Sequence, residues 1–177
     1  MLERHSALAN VAPYRSEVLQ LAEARGFSLV QAAVFSKDSE KEIANITGKL
    51  PGKVGTALEA GGRTLMRVGP RQFWFVGAEG DDLADKLTGV CAVTPLSHSR
   101  TRIFLEGAPS RDVLAKGIPL DFHESAFKLG MFAMTGLHHT PVLVHCTGPH
   151  RFELYALRTF AVAVWDWLTD AGLEFAG

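Results

Sequence analysis

The side chains best placed to do chemistry are His98, Arg100 and Arg102, in the run Leu96-Ser97-His98-Ser99-Arg100-Thr101-Arg102-Ile103-Phe104-Leu105. If Ser97 to Leu105 is one extended strand, side chains alternate between two faces. His98, Arg100 and Arg102 then form a cationic ladder on one face, and Ser99, Thr101, Ile103 and Leu105 line the other. Guanidinium forks recognise anions or partner carboxylates in a bidentate manner. The same residues suit cross-strand pairs with acids inside the fold, the commoner arrangement for strand arginines. Both readings stay open on the sequence.

Other constellations fall short of a recognisable site. Gly48-Lys49 and Gly52-Lys53 each contain the Gly-Lys of a phosphate loop. Neither has the following Ser or Thr, nor the earlier glycine that a nucleotide loop needs. No Gly-x-Gly-x-x-Gly follows an expected strand, so no flavin or nicotinamide fingerprint is present. His138, His139, His145, Cys146 and His150 share one window. Imidazole and thiolate suit zinc, but no established ligand spacing is met. Adjacent positions of a strand also face opposite ways, which separates His145 from Cys146. A small metal-dependent hydrolase built on these histidines is therefore kept only as a rival. Ser97, Ser99 and Cys146 lack the nucleophile contexts of known hydrolases. On this reading no catalytic, cofactor-binding or metal-binding residue is assigned.

Composition bounds the rest. The chain has 177 residues, a formal net charge of −1 and two cysteines, Cys91 and Cys146. Near-neutral charge gives no reason to expect nucleic acid or an acidic membrane as partner. No run approaches the roughly 18 apolar residues of a membrane helix, and the first residues lack a signal core. Two cysteines make no disulfide framework, so a reduced, cytoplasmic setting is expected.

The elements that would position these residues read as α+β in two small lobes. Residues 1–27 read as an N-terminal arm, with a helix over Tyr14 to Arg25 stopped by Gly26. The part before Pro13 is expected to order only against a partner. Residues 28–98 read as strand 29–35, a helix from Asp38 or Ser39 to Ile46, and a glycine-rich loop over 48–62. Strands 63–68 and 72–76, helix 81–87 and strand 90–96 follow. That β-α-β-β-α-β order is a split βαβ, ferredoxin-like sandwich. Residues 99–177 read as a second lobe, an antiparallel sheet with helices. Its strands are 101–106, 131–137, 142–147 and 151–157, with helices over 109–116 and 159–171. The last helix is apolar around most of its circumference, where packing on one sheet needs only a stripe. Loops or a partner must cover the second side. Aromatic surfaces anchor interfaces. Phe160, Trp165 and Trp167, with His98, Arg100 and Arg102, are therefore the candidate partner contacts.

Several motifs occur in a fixed order: Arg67-Val68-Gly69-Pro70-Arg71-Gln72-Phe73-Trp74, Ser97-His98-Ser99-Arg100-Thr101-Arg102, and Leu114-Ala115-Lys116-Gly117-Ile118-Pro119-Leu120-Asp121. Pro141-Val142-Leu143-Val144-His145, Phe152-Glu153-Leu154-Tyr155 and a Trp-containing final helix complete them. With these, the chain from about Ser28 onward resembles the gamma subunit of heterotetrameric sarcosine oxidase. The resemblance implies an assembly of alpha, beta, gamma and delta chains. It oxidises sarcosine to glycine, releases hydrogen peroxide and passes the one-carbon unit to tetrahydrofolate. It further implies FAD, FMN and NAD in the large subunits, zinc in the delta chain, and no cofactor in the gamma chain. The gamma chain of the family resembles part of the folate-binding aminomethyltransferase (T-protein) fold. The expectation is a non-catalytic accessory subunit that docks on the large alpha chain, and that pairs with itself when isolated. The rival from the same fold analogy is a stand-alone folate-binding or one-carbon-transfer domain, and fold analogy alone is weak warrant for it.

Overall fold

The structure is a computed structural model that describes residues 5–176. In chain order it has β1 (Tyr14–Arg15), β2 (Gln20–Glu23), β3 (Phe27–Ala33), α1 (Lys37–Thr47) and β4 (Ala57–Ala60). Next come β5 (Arg63–Gly69), β6 (Gln72–Ala78), α2 (Leu83–Leu87), β7 (Ala92–Pro95) and β8 (Arg100–Glu106). The chain ends with α3 (Ser110–Ala115), β9 (Phe132–Leu137), β10 (Thr140–Gly148), β11 (Arg151–Leu157) and α4 (Ala161–Gly172). These elements sort into two units: residues 26–98, and residues 5–25 together with 99–176.

Residues 26–98 hold a five-stranded sheet in the order β4-β5-β6-β3-β7, antiparallel at every pairing. Removing β4 leaves the split βαβ arrangement that the element order implied. The 48–62 stretch is not all loop, because Ala57–Ala60 pairs with β5 and extends that edge. The helix α1 starts earlier than its acidic residues suggested. The Ser36 hydroxyl accepts the Ser39 N–H at 3.1 Å, which satisfies one of the helix's orphan donors. Asp38 and Glu40 in the first turn suit the positive end of the helix dipole. Gly48, at φ 81°, stops the helix in the left-handed conformation that glycine adopts without strain. Ile43, Leu83 and Leu87 cover Leu65, Phe73 and Phe75 to make this unit's core.

The other unit carries a six-stranded antiparallel sheet in the order β1-β2-β8-β11-β10-β9. The expected helix over Tyr14 to Arg25 is not there. Leu19, just before β2, and Leu21 within it, two apart, are both buried, and β2 pairs with β8. A period of two is a strand signal, which the scattered apolar residues around it had masked. The Ser16 hydroxyl accepts the Leu19 N–H at 3.1 Å and turns β1 into β2. A Cβ at Gly107 would strike the Val18 carbonyl, so only glycine lets this segment cross there. Leu8, Leu19 and Leu21 join the main core of the unit. Burying three leucines supplies on the order of 5 kcal/mol toward the conformational entropy that ordering the segment costs. Residues 1–4 of the expected arm lie outside the described residues.

The cationic ladder is also shorter than one strand of Ser97 to Leu105 would make it. Residues 97–99 form a turn and β8 begins at Arg100. The Ser97 hydroxyl accepts the Leu29 N–H at 2.9 Å, so the chain bends there to finish the β3 side of the five-stranded sheet. His98 belongs to the unit of residues 26–98, whereas Arg100 and Arg102 belong to the other.

Candidate functional site

Along β8 the burial alternates: Thr101, Ile103 and Leu105 are buried, and Arg100, Arg102, Phe104 and Glu106 are half-buried on the opposite face. Ile103 and Leu105 enter the core with Phe152 and Leu154 of β11. The alternation of β11 puts Glu153 and Tyr155 on the same side as Arg102. Arg102 grips the Glu153 carboxylate with a fork. Its Nε donates to Oε2 at 3.0 Å and its Nη2 donates to Oε1 at 2.7 Å. The Tyr155 hydroxyl donates to Oε2 at 2.9 Å, and the Arg102 guanidinium lies 5.8 Å from the Tyr155 ring centroid. On β10, His145 stands directly opposite Glu153. The Phe132 ring meets it edge-on, with centroids 6.5 Å apart.

Burial and charge set the protonation states in this cluster. Glu153 is only 6% exposed, and burial alone would raise its carboxyl. The Arg102 hydrogen bonds and charge, with the Tyr155 hydroxyl, outweigh burial and hold it below the usual carboxylate range. His145 is 3% exposed, and its Nδ1 has no hydrogen-bond partner. Burial pushes its pKa down to about 4, against the pull of Glu153 and with the push of Arg102. The imidazole is therefore neutral at pH 7, and Glu153 is an ionised counterion whose two oxygens accept three hydrogen bonds. Such a group holds strands together; it has little basicity left for proton transfer.

The remaining sequence candidates are placed as follows. Arg100 donates to the Ser99 carbonyl and hydroxyl at 3.3 and 3.1 Å, and burial pulls its pKa down. Trp165 is 5% exposed in the core of its own unit. Trp167 packs against Gly117 so closely that a Cβ there would overlap the ring, and the His138 ring meets it edge-on at 5.5 Å. The chain's own loop and hairpin turn thus cover the second side of α4. Phe160 stays 41% exposed. His145 faces Glu153, Cys146 is buried in the core, His138 sits on Trp167, and His139 and His150 are exposed in turns. Among the described residues no group of three metal-ligating side chains converges. Burial raises the Cys146 thiol, against the lowering effect of Arg111, and it donates to the Gly148 carbonyl at 3.3 Å.

Sequence reading missed Glu153, Tyr155 and His145 as companions of Arg102. A lone acid between Phe152 and Leu154 in an apolar strand was the available signal. It also missed Arg111. That side chain donates to the carbonyls of Pro149, Phe122 and Phe127, and its guanidinium lies 5.1 Å from the Phe152 centroid. Arg111 lines a cleft of about 350 Å³ with Asp112, Asp121, His123 and Glu124, but its donors are turned inward to the loop.

Residues 56–174 match the family described as sarcosine oxidase, gamma subunit. The chain belongs to the sarcosine oxidase gamma subunit family. Its curated relatives include the sarcosine oxidase subunit gamma of a Corynebacterium species (strain P-1), 32% identical over 133 residues. The Arthrobacter subunit is 33% identical over the same length. Each alignment covers 72% of this chain and 66% of the relative, just under two thirds of its length. A chain of the heterotetrameric sarcosine oxidase from Corynebacterium sp. U-96, in complex with pyrrole 2-carboxylate, superposes at a TM-score of 0.89. The identity is 28%, covering 98% of this chain and 97% of that one. The glycine cleavage system aminomethyltransferase T from Bartonella henselae matches at 0.62 and 17% identity, over 85% of this chain and 45% of that one. The second likeness shows a shared α+β fold and nothing further. No described helix of this gamma-family chain is long and apolar enough to cross a membrane.

Proposed function

We propose that this chain is the accessory gamma subunit of a cytoplasmic heterotetrameric sarcosine oxidase. The observation that carries the reading is end-to-end likeness to one chain of a heterotetrameric sarcosine oxidase, 98% of this chain against 97% of that one. The assembly oxidises sarcosine to glycine, releases hydrogen peroxide and hands the one-carbon unit to tetrahydrofolate. FAD, FMN and NAD sit in its large subunits and zinc in its delta chain. The gamma chain docks on the large alpha subunit and does no chemistry itself. The interior of this chain supports that division of labour. Its central carboxylate is spent on Arg102 and Tyr155, its buried histidine is neutral, and its apolar final helix is packed by its own loops.

Co-expression with alpha, beta and delta chains tests the reading. The expected result is a stoichiometric complex that consumes sarcosine and releases peroxide. An alpha-beta-delta assembly that neither binds this chain nor changes in stability or activity on its addition overturns it. Titrating the isolated chain with tetrahydrofolate is the companion measurement, and binding heat there would restore the stand-alone folate reading.

A further inference from the structure

The two sheets present four edge strands: β1 and β9 on one, β4 and β7 on the other. Edge strands expose unpaired backbone groups and invite another chain to pair, so proteins blunt them with charge, proline, bulges or short length. Three of these four edges are blunted. β1 is two residues long, follows Pro13 and contains Arg15. β4 has four residues, with Glu59 exposed. β7 has four residues and ends in Pro95.

β9 uses none of these devices. Its six residues, Phe132-Ala133-Met134-Thr135-Gly136-Leu137, include no charge and no proline, and its register with β10 runs without a shift. The Cys146 N–H donates to the Met131 carbonyl at 2.9 Å, which fixes the parity of the ladder. In an antiparallel pair, bonded and non-bonded positions alternate. Residues 131, 133, 135 and 137 therefore bond to β10, and the backbone groups of Phe132, Met134 and Gly136 point outward. Among the described residues no hydrogen bond reaches those outward groups. The next outward donor, the His138 N–H, is already taken by the Gly117 carbonyl at 3.0 Å, so the free edge has a defined end. Apolar surface accompanies it: Leu129 is 66% exposed and Met134 57%.

Resting on the accessory-subunit reading, we propose that β9 is where another subunit of the oxidase adds an extended strand to the six-stranded sheet. Strand addition draws affinity from main-chain bonds and specificity from alternate side chains. The neutral edge fits an uncharged partner strand. An apolar side chain of that strand covers Met134, and Gly136, where a Cβ would lie 2.9 Å from the His138 carbonyl oxygen, keeps the edge bare for the close approach of another backbone. A chain that never works outside a permanent assembly can leave one edge unguarded, and the other three edges show that its guarding elsewhere is systematic.

The test uses co-expression with a tagged alpha subunit plus the beta and delta chains. Met134→Pro removes an outward N–H that the fold does not use, and proline is tolerated at such edge positions. Met134→Lys keeps the backbone and adds a charge. Met134→Ala is the control that leaves both alone. Recovery of the chain in the complex should fall about tenfold for Met134→Pro and Met134→Lys, the cost of an unmatched buried acceptor or charge, and only slightly for Met134→Ala. Circular dichroism and the thermal midpoint of each isolated variant should match the wild type. Wild-type stoichiometry for both Met134→Pro and Met134→Lys overturns the strand proposal and leaves docking itself standing. Failure of the wild-type chain to be recovered overturns the accessory-subunit reading instead. An isolated wild-type dimer that Met134→Pro dissolves, with the complex unaffected, assigns the edge to a second copy and likewise overturns the proposal.

Discussion

At the centre of the six-stranded sheet, β8 and β11 bury a carboxylate and give it three hydrogen bonds; β9 at the edge carries no charge, and among the described residues nothing bonds the outward backbone groups of three of its residues. The centre spends polar chemistry on itself. The edge holds it in reserve. The difference teaches where to look for the work of this chain. A buried ion pair with every oxygen engaged tells two strands how to register, and offers nothing to a ligand. An unguarded edge offers a repeating row of donors and acceptors to whatever chain is shaped to take them.

The largest effect should come from breaking the centre. Glu153→Ala strands the Arg102 guanidinium in a half-buried site and should cost about 3 kcal/mol, read as a lowered urea midpoint. The paired change Arg102→Met with Glu153→Leu should recover most of that loss, because it removes both charges together. Should the double variant remain as unstable as the single one, the pair is more than a structural clamp. Acid should act on the same place. Folded His145 titrates near 4, so between that value and the ordinary histidine range the unfolded chain binds a proton that the folded chain does not. Its contribution to stability is therefore complete above pH ~6.5 and drains away as pH falls toward 4, by up to about 3 kcal/mol. Glu153, held below its ordinary value, loses its own contribution only at lower pH. His145→Phe should flatten the stability curve between pH 6.5 and 4 and leave the steeper fall below it.

Much of this was legible in the residues. The β-α-β-β-α-β order, the strands at β9 to β11 and the final helix follow from periodicity and turn chemistry, and the family from the order of its motifs. What stayed hidden were choices that only tertiary packing makes. Leu19 and Leu21 read as part of a helix until β8 offered a partner strand. The ladder looked continuous because nothing in Ser97-His98-Ser99 forbids a strand; the Ser97 bond to Leu29, residues away in sequence, makes the turn. Trp165 and Trp167 looked like surplus surface because the loop at Gly117 and the turn at His138 could not be seen to reach them. The β9 edge was unreadable for a different reason. A neutral apolar strand looks the same in a sequence whether it lies inside a sheet or at its border.

The covering of α4 sharpens the contrast at intermediate scale. Gly117→Ala places a methyl group into the Trp167 ring and should lower the thermal midpoint by the equivalent of about 1–3 kcal/mol. Combining it with Trp167→Ala should cost less than the sum of the two single changes, since the small side chain frees the space that the methyl needs. Additive losses would mean that the ring and the loop are not in contact.

The smallest effect on the fold is expected at the edge itself. The Met134 side chain is exposed and its backbone bonds lie outside the β10 ladder, so Met134→Lys should change the stability of the isolated chain by less than about 0.5 kcal/mol. A lysine on an edge strand is the ordinary device against unwanted pairing, and three other edges of this chain carry comparable devices at no evident cost. If Met134→Lys instead destabilises the isolated chain by more than about 1 kcal/mol in urea titration, the Met134 side chain is part of the core and not of a free edge. The contrast between a closed centre and an open border would then have to be redrawn one strand further in, at β10.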